Sequence, residues 1–415
     1  MPSSAWETTT LGTLAHVEMG QSPASELVSE SEGSGVPFLQ GNAEFSALHP
    51  TPRLWCRKPP KMCRRGDSLI SVRAPVGAIN RADQEYCIGR GLAAVRFTGA
   101  NADFGYHALG YFSTALRRVA QGTTFEAVGG FDLRSLSVPR CDRAEQDRIA
   151  AILETLDDAI RRTEQVIGKL QQMKQGLLHD LLTRGVDENG DLRPSPSEAP
   201  HLYKDSPLGR IPRGWRVSIV GREFEVQLGK MLSTVAKTGR YSKPYLNNKA
   251  VQWERVDTRE LQLMDFTPSE QAKFSLLPGD LLVCEGGEVG RTAMWQGELR
   301  DCYFQKAVHR LRPTRGYEPR LMLRYMRFAA ICGRFTEFTS QTSIAHLTQE
   351  KLSILPLPLP PASEQRQLAS MFDGLDQRLT LEVQGRGKLF TLKHGLLHDL
   401  LTGRVRVLLP AEAPE

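Results

Sequence analysis

Two stretches of the chain carry apolar residues at alternating spacings of three and four. In the first, Ile149, Leu156, Leu170 and Leu177 fall on one heptad seam, and Leu153, Ile160, Ile167 and Leu181 on the alternate one. In the second, Leu368, Leu375, Leu389 and Leu396 fall on one seam, and Phe372, Leu379 and Leu400 on the other. This is the periodicity of long coiled-coil helices. Asp142, with Glu145 three residues on, predicts a capped start for the first helix, and Ser363 with Gln365 and Arg366 predicts the second start. Neither stripe can be buried by its own helix, so each needs a partner. The other helix of the same chain supplies one, as an antiparallel intramolecular pair with a pseudo-two-fold axis. Glu382, Gly385, Arg386 and Gly387 interrupt the second pattern and predict a weaker seam at its middle.

Between these stretches the period shortens. Ser68–Val72 and Asp280–Cys284 read as strands beside Gly-Asp turns. His107–Val119 and Arg320–Thr336 read as helices, and Leu136–Pro139 and Ile354–Pro358 as final strands stopped by proline. The fold class is α/β, of the mixed α+β kind.

The chain repeats itself. Glu145-Gln146 matches Glu364-Gln365, and Gly176-Leu-Leu-His-Asp-Leu-Leu-Thr183 matches residues 395–402, at one offset of 219. Upstream, Trp6, Gly12, Val17 and Gly20 match Trp215, Gly221, Val226 and Gly229, Gly66-Asp67 matches Gly279-Asp280, and Ala94-Val95 falls on Ala307-Val308. The 415 residues therefore divide into a variable domain (1–142), a helix (143–184), a Pro- and Ser-rich linker (185–212), a second variable domain (213–358), a second helix (359–404) and a tail (405–415).

The net charge of +6 is mild but unevenly placed. From Arg53 to Arg118 Lys and Arg outnumber Asp and Glu threefold, and from Arg300 to Arg334 more than fourfold. A solvated basic face would give the same counts, but recurrence in both domains fits phosphate contacts. Arg53, Lys58 and Arg73 are candidates in the first domain, and Lys230, Lys243, Lys249 and Arg291 in the second. Polar groups able to read base edges accompany them: Gln40 and Asn42 in one loop, and Tyr245, Asn247 and Asn248 in its counterpart. Gln121, Thr123 and Thr124 match Gln341, Thr342 and Ser343 as small donors.

Catalytic signatures are missing. There is no GxxxxGK[ST], GxSxG or HExxH motif, and Glu285–Gly290 lacks the nucleotide fingerprint. His179-Asp180 and His398-Asp399 are adjacent helix positions, which ordinarily point apart. The seven cysteines lack metal spacing and read as free thiols in a reducing compartment. No apolar run approaches the roughly 18 residues of a membrane span. The first residues lack a signal-peptide pattern. The expected location is cytoplasmic.

Two variable domains alternating with two near-identical helices, each opening Glu-Gln and closing Gly-Leu-Leu-His-Asp-Leu-Leu-Thr, resemble the specificity (S) subunit of type I restriction-modification systems. The likeness covers nearly the whole chain and is most specific in 143–184, 362–404 and Ile211-Pro-x-Gly-Trp215. It implies two target recognition domains, each reading one half of a split double-stranded DNA sequence. The helices would set the unread spacer and dock two methyltransferase (modification) subunits, with Leu177, Leu181, Leu396 and Leu400 as docking candidates. It implies no cofactor and no catalysis in this chain. Partner subunits would methylate adenine from S-adenosylmethionine, and restriction (motor-nuclease) subunits would cleave unmodified DNA. The alternatives are a self-contained nuclease or methyltransferase, which the missing motifs oppose, and a coiled-coil scaffold without DNA readout, which the basic enrichment opposes.

Overall fold

The two long helices run Arg143–Thr183 and Ala362–Leu401 in a computed structural model that describes residues 6–120, 127–233, 239–336 and 346–407. The chain forms two compact units, residues 1–165 with 382–415, and residues 166–381. Each unit thus holds the first half of one long helix and the second half of the other, running antiparallel. In the first unit Ile149 and Leu153 share a core with Leu400 and Leu401. In the second, Leu178, Leu181 and Leu182 share one with Leu368 and Phe372. Matched ion pairs cross the helix pairs: Lys393 contacts Asp157 in the first unit, and Lys174 Nζ lies 2.8 Å from Asp376 in the second.

The second helix is unbroken through Gly385 and Gly387, but Val383, Phe390 and Leu392 are exposed. The predicted weakening therefore takes the form of lost burial along a continuous helix. Its predicted start shifts too, because the helix begins at Ala362 and takes Ser363 inside. At the first helix Asp142 does cap, its Oδ1 accepting from the Glu145 N–H at 2.8 Å. The Glu145 carboxylate is engaged elsewhere.

Each unit carries the same four-stranded antiparallel sheet. In the first the order is Ala15–Met19, Leu92–Phe97, Ser68–Ser71, Ile79–Arg81, and in the second Phe224–Leu228, Val308–Pro313, Leu281–Cys284, Thr292–Met294. A second sheet follows in each, where Val36–Leu39 lies parallel to Tyr86–Ile88, and Ser242–Leu246 parallel to Tyr303–Phe304. The Gly-Asp turns are built alike: Arg96 clamps Asp67 with two bonds of 2.9 and 2.7 Å, and Arg312 clamps Asp280 with two of 2.8 and 2.6 Å.

Register corrects one alignment. Val95 pairs with Val17, and Leu311 with Val226. Since Val17 and Val226 are equivalent, Val95 corresponds to Leu311 and not to Val308, three residues away. The predicted helix 107–119 is two helices, Ala102–Phe112 and Thr114–Ala120, and 320–336 is Pro319–Ile331. The stretch read as a linker is packed, with Val186, Tyr203 and Ile211 buried and a short Tyr203–Lys204 to Ile211–Pro212 pairing.

The repeated motifs build one junction twice. Glu145 accepts from Nε and Nη2 of Arg406 (2.9 and 2.7 Å) and from the Val407 N–H. Glu364 accepts from Nη1 and Nη2 of Arg193 (2.6 and 3.1 Å), from the Val186 N–H and from the Trp215 indole N–H. Gln146 Oε1 accepts from the Asn101 N–H, and Gln365 Oε1 from the Glu318 N–H, each tethering a domain helix by its start. Glycine is required where the helix ends meet tryptophan. Gly185 (φ 61°) and Gly403 (φ 74°) are left-handed, and a Cβ there would lie 2.4 Å from Trp215 or 2.9 Å from Trp6.

Candidate nucleic-acid interface

Three loops of the first unit converge on one pocket of about 260 Å³. It is lined by Gln40, Asn42, Arg73 and Arg90, with Ser22 at its rim. The parallel strand pair positions it: the Gly89 N–H donates to Leu39 O at 2.8 Å, drawing the 89–91 turn against the loop that carries Gln40. Arg73 sits where the chain leaves its strand, and its backbone bridges Ala127. Among the described residues neither guanidinium has a carboxylate partner. Arg53 and Lys58 are exposed but lie outside this pocket.

The second unit repeats the construction. The Gln305 N–H donates to Leu246 O at 3.0 Å, bringing the 305–307 turn beside Asn247 and Lys249. A pocket of about 410 Å³ is lined by Asn247, Lys249, Asp257, Arg259, Glu260 and Gln262. Asn247 Oδ1 accepts the Lys249 and Ala250 N–H groups, so its carbonyl holds the loop. Arg259 donates through Nε (2.9 Å) and Nη2 (2.5 Å) to Asp257, whose carboxyl these bonds hold well below its usual range.

Other candidates are engaged within the domain. Lys230 Nζ bonds Asp265 O and Glu270, both at 2.7 Å, and lies over the Phe266 ring. Tyr245 is buried with its hydroxyl on Gln262 Oε1. Arg291 donates to Asn248 O at 2.7 Å, and Asn248 Nδ2 to Gly286 O, which fixes the loop rather than offering it outward. Lys243 pairs with Asp301 at 3.1 Å. Gln121, Thr123, Thr124, Gln341, Thr342 and Ser343 lie outside the described residues. The chain returns from both segments at equivalent points, with the Val128 N–H on Val72 O and the Leu347 N–H on Glu285 O.

Arg90, Arg259 and Gln262 were not singled out from the sequence. Arg90 follows a glycine and lies one residue beyond the parallel-strand contact, a signal visible only once the pairing is known. Leu181 and Leu400, expected at a partner interface, are instead core, with Leu177 and Leu396 packed against the same clusters. Leucines at heptad positions are consumed by the intrachain seam. His179 Nδ1 lies 3.4 Å from Asp180, closer than adjacent helix positions predict, whereas His398 meets the Tyr111 hydroxyl at 2.7 Å.

No group of metal-binding side chains occurs among the described residues. Burial pushes the Cys63, Cys87, Cys141 and Cys302 thiols up to about 12, so none is poised as a nucleophile.

The model of the type I restriction modification DNA specificity domain matches residues 3–172 and again 212–388, one match for each repeat. The chain belongs to this family. A putative type I restriction enzyme MjaX specificity subunit of Methanocaldococcus jannaschii is 38% identical over 182 residues, 43% of each chain. The chain thus spans less than half the length of that relative. The MjaVIII specificity subunit of the same organism is 20% identical over 314 residues, 73% of this chain and 70% of that one. The S subunit structure from M. genitalium matches with a TM-score of 0.59 at 17% identity, covering 95% of this chain and 96% of that one. A chain solved in work on assembly of the type I R-M system matches at 0.60 and 17%, covering 98% and 100%. These structures share the specificity-subunit fold. No described helix is long and apolar enough to cross a membrane.

Proposed function

We propose that this chain is the DNA-sequence specificity subunit of a type I restriction-modification complex, working in the cytoplasm. Residues 1–142 and 213–358 are target recognition domains, each reading one half of a split duplex target. The helices 143–184 and 359–404, with the 185–212 connection, fix the unread spacer and dock two methyltransferase subunits. The chain itself performs no catalysis. Its partners methylate adenine from S-adenosylmethionine, and restriction subunits add ATP-dependent cleavage.

One observation supports this reading above the rest. In both units the loop that follows the parallel strand lines a pocket holding basic and amide side chains. Guanidinium and ammonium groups answer phosphates and guanine, and amides answer adenine. A scaffold that bound no DNA would have no reason to build that cluster twice. Because the two pockets hold different residues, they would read different half-sites, which makes the target asymmetric.

The test is selection of random duplexes by the chain co-purified with its methyltransferase subunits. The expected result is enrichment of one split sequence. Lengthening both helices by one heptad should change the spacer and leave both halves intact. Enrichment of no split sequence contradicts the proposal.

A further inference from the structure

We propose that Arg259 reads a guanine in the half-site contacted by the second unit, with Asp257 as the positioning residue that aims it. The inference rests on the DNA-reading function proposed above. Asp257 takes the Nε and Nη2 side of the guanidinium at 2.9 and 2.5 Å, and its Oδ1 also takes the Arg259 backbone N–H at 3.2 Å. The Arg side chain is 79% exposed. What remains is the edge made by Nη1 and the outer hydrogen of Nη2, and among the described residues nothing accepts from Nη1. Two parallel N–H groups on that edge match the O6 and N7 acceptors of guanine in the major groove.

The pairing itself discriminates base from phosphate. An ion pair whose arginine is this exposed adds little to stability, so the contact has small structural value. Neutralised by Asp257, the guanidinium loses most of its pull on a phosphate but keeps its directional donors. The mounting is also firm. The Asp257 N–H donates to Ala250 O at 2.8 Å, closing the Val251–Gln252 and Arg255–Val256 hairpin. At the hairpin tip, Glu254 is held by Lys174 at 2.7 Å and Arg324 at 2.6 Å. Lys249 and Asn247 line the same pocket, so neighbouring contacts are at hand.

The experiment compares the full chain with its Arg259→Ala and Asp257→Asn variants, each co-purified with the methyltransferase subunits, on a duplex library randomised across the footprint. The parent should demand guanine at one position of the second unit's half-site. Arg259→Ala should relax that position alone, by roughly 10- to 100-fold. Asp257→Asn should keep the preference but weaken it several-fold. A uniform loss across all sequences would assign Arg259 to phosphate and overturn the inference, as would an unchanged profile. If the parent selects a split sequence that Arg259→Ala does not alter, only the guanine assignment falls. If the parent selects none, the DNA-reading function fails and the assignment with it.

Discussion

In the first unit Arg73 and Arg90 line their pocket with no carboxylate beside them among the described residues; in the second Arg259 lines its pocket paired with Asp257, Lys249 lines it without an ion pair among the described residues, and Lys230, Lys243 and Arg291, outside the pocket, each contact a carboxylate. The pockets share one wall, the loop that follows the parallel strand, and differ in the other, which is the 73–74 and 90–91 turns in the first unit and residues 257–262 in the second. If the proposed function holds, the difference separates two ways of meeting DNA. Unpaired guanidinium groups keep their full charge and attract phosphates over distance, with strong dependence on salt. Paired ones give up long-range attraction for fixed geometry. On the proposed function, one scaffold built twice would be finished once for capture and once for readout.

The largest effect should come from the two tryptophan junctions. Trp215 is fully buried with its indole on Glu364, while Trp6 is half-buried under Arg406. Trp215→Ala should cost about 3–5 kcal/mol, and Trp6→Ala clearly less, as read by urea unfolding. Equal losses would break the claim that the second junction is the better sealed.

Next in size, Arg73→Ala and Arg90→Ala should each weaken binding to all duplexes alike and lower the salt slope by about one. A loss confined to one base position would move these residues to the readout class. Arg291→Ala should instead lower the stability of the second unit, because its guanidinium holds Asn248 O.

A smaller contrast should appear with pH. His309 is buried, its Nε2 lies 2.9 Å from Leu347 O, and burial lowers its pKa below 6.5. The folded second unit therefore favours neutral imidazole, and it should lose stability as pH falls below about 6.5, where the unfolded chain takes up the proton. In the first unit His107 and then Arg81 hold Glu154 down to about 2 from 4.5. That contribution is present above pH 4.5 and is lost as pH falls from there towards 2. Acid should soften the second unit first, which unit-resolved hydrogen exchange would report.

Much of this was legible from residue order. Heptad spacing gave both helices, and the identical octapeptides announced a junction made twice. The meaning of Glu145-Gln146 was not legible, because its partners, Arg406 and Asn101, are distant in sequence. The three-residue shift of Val95 was hidden for a similar reason: runs of alternating small apolar residues align almost equally well in neighbouring registers. At the pockets, residue type pointed to the right loops but not to each side chain's task. Lys230 and Arg291 look free in sequence and are engaged in space. Arg259 looks ordinary until the turn at Asp257 brings the two side chains together.

On the proposed function, each unit reads its own half of a split target. Replacing residues 1–142 with another domain of this family and mapping DNA methylation by the assembled complex tests it most directly. One half-site should change while the other half and the spacer stay as they were. A change in both halves, or in neither, would contradict it.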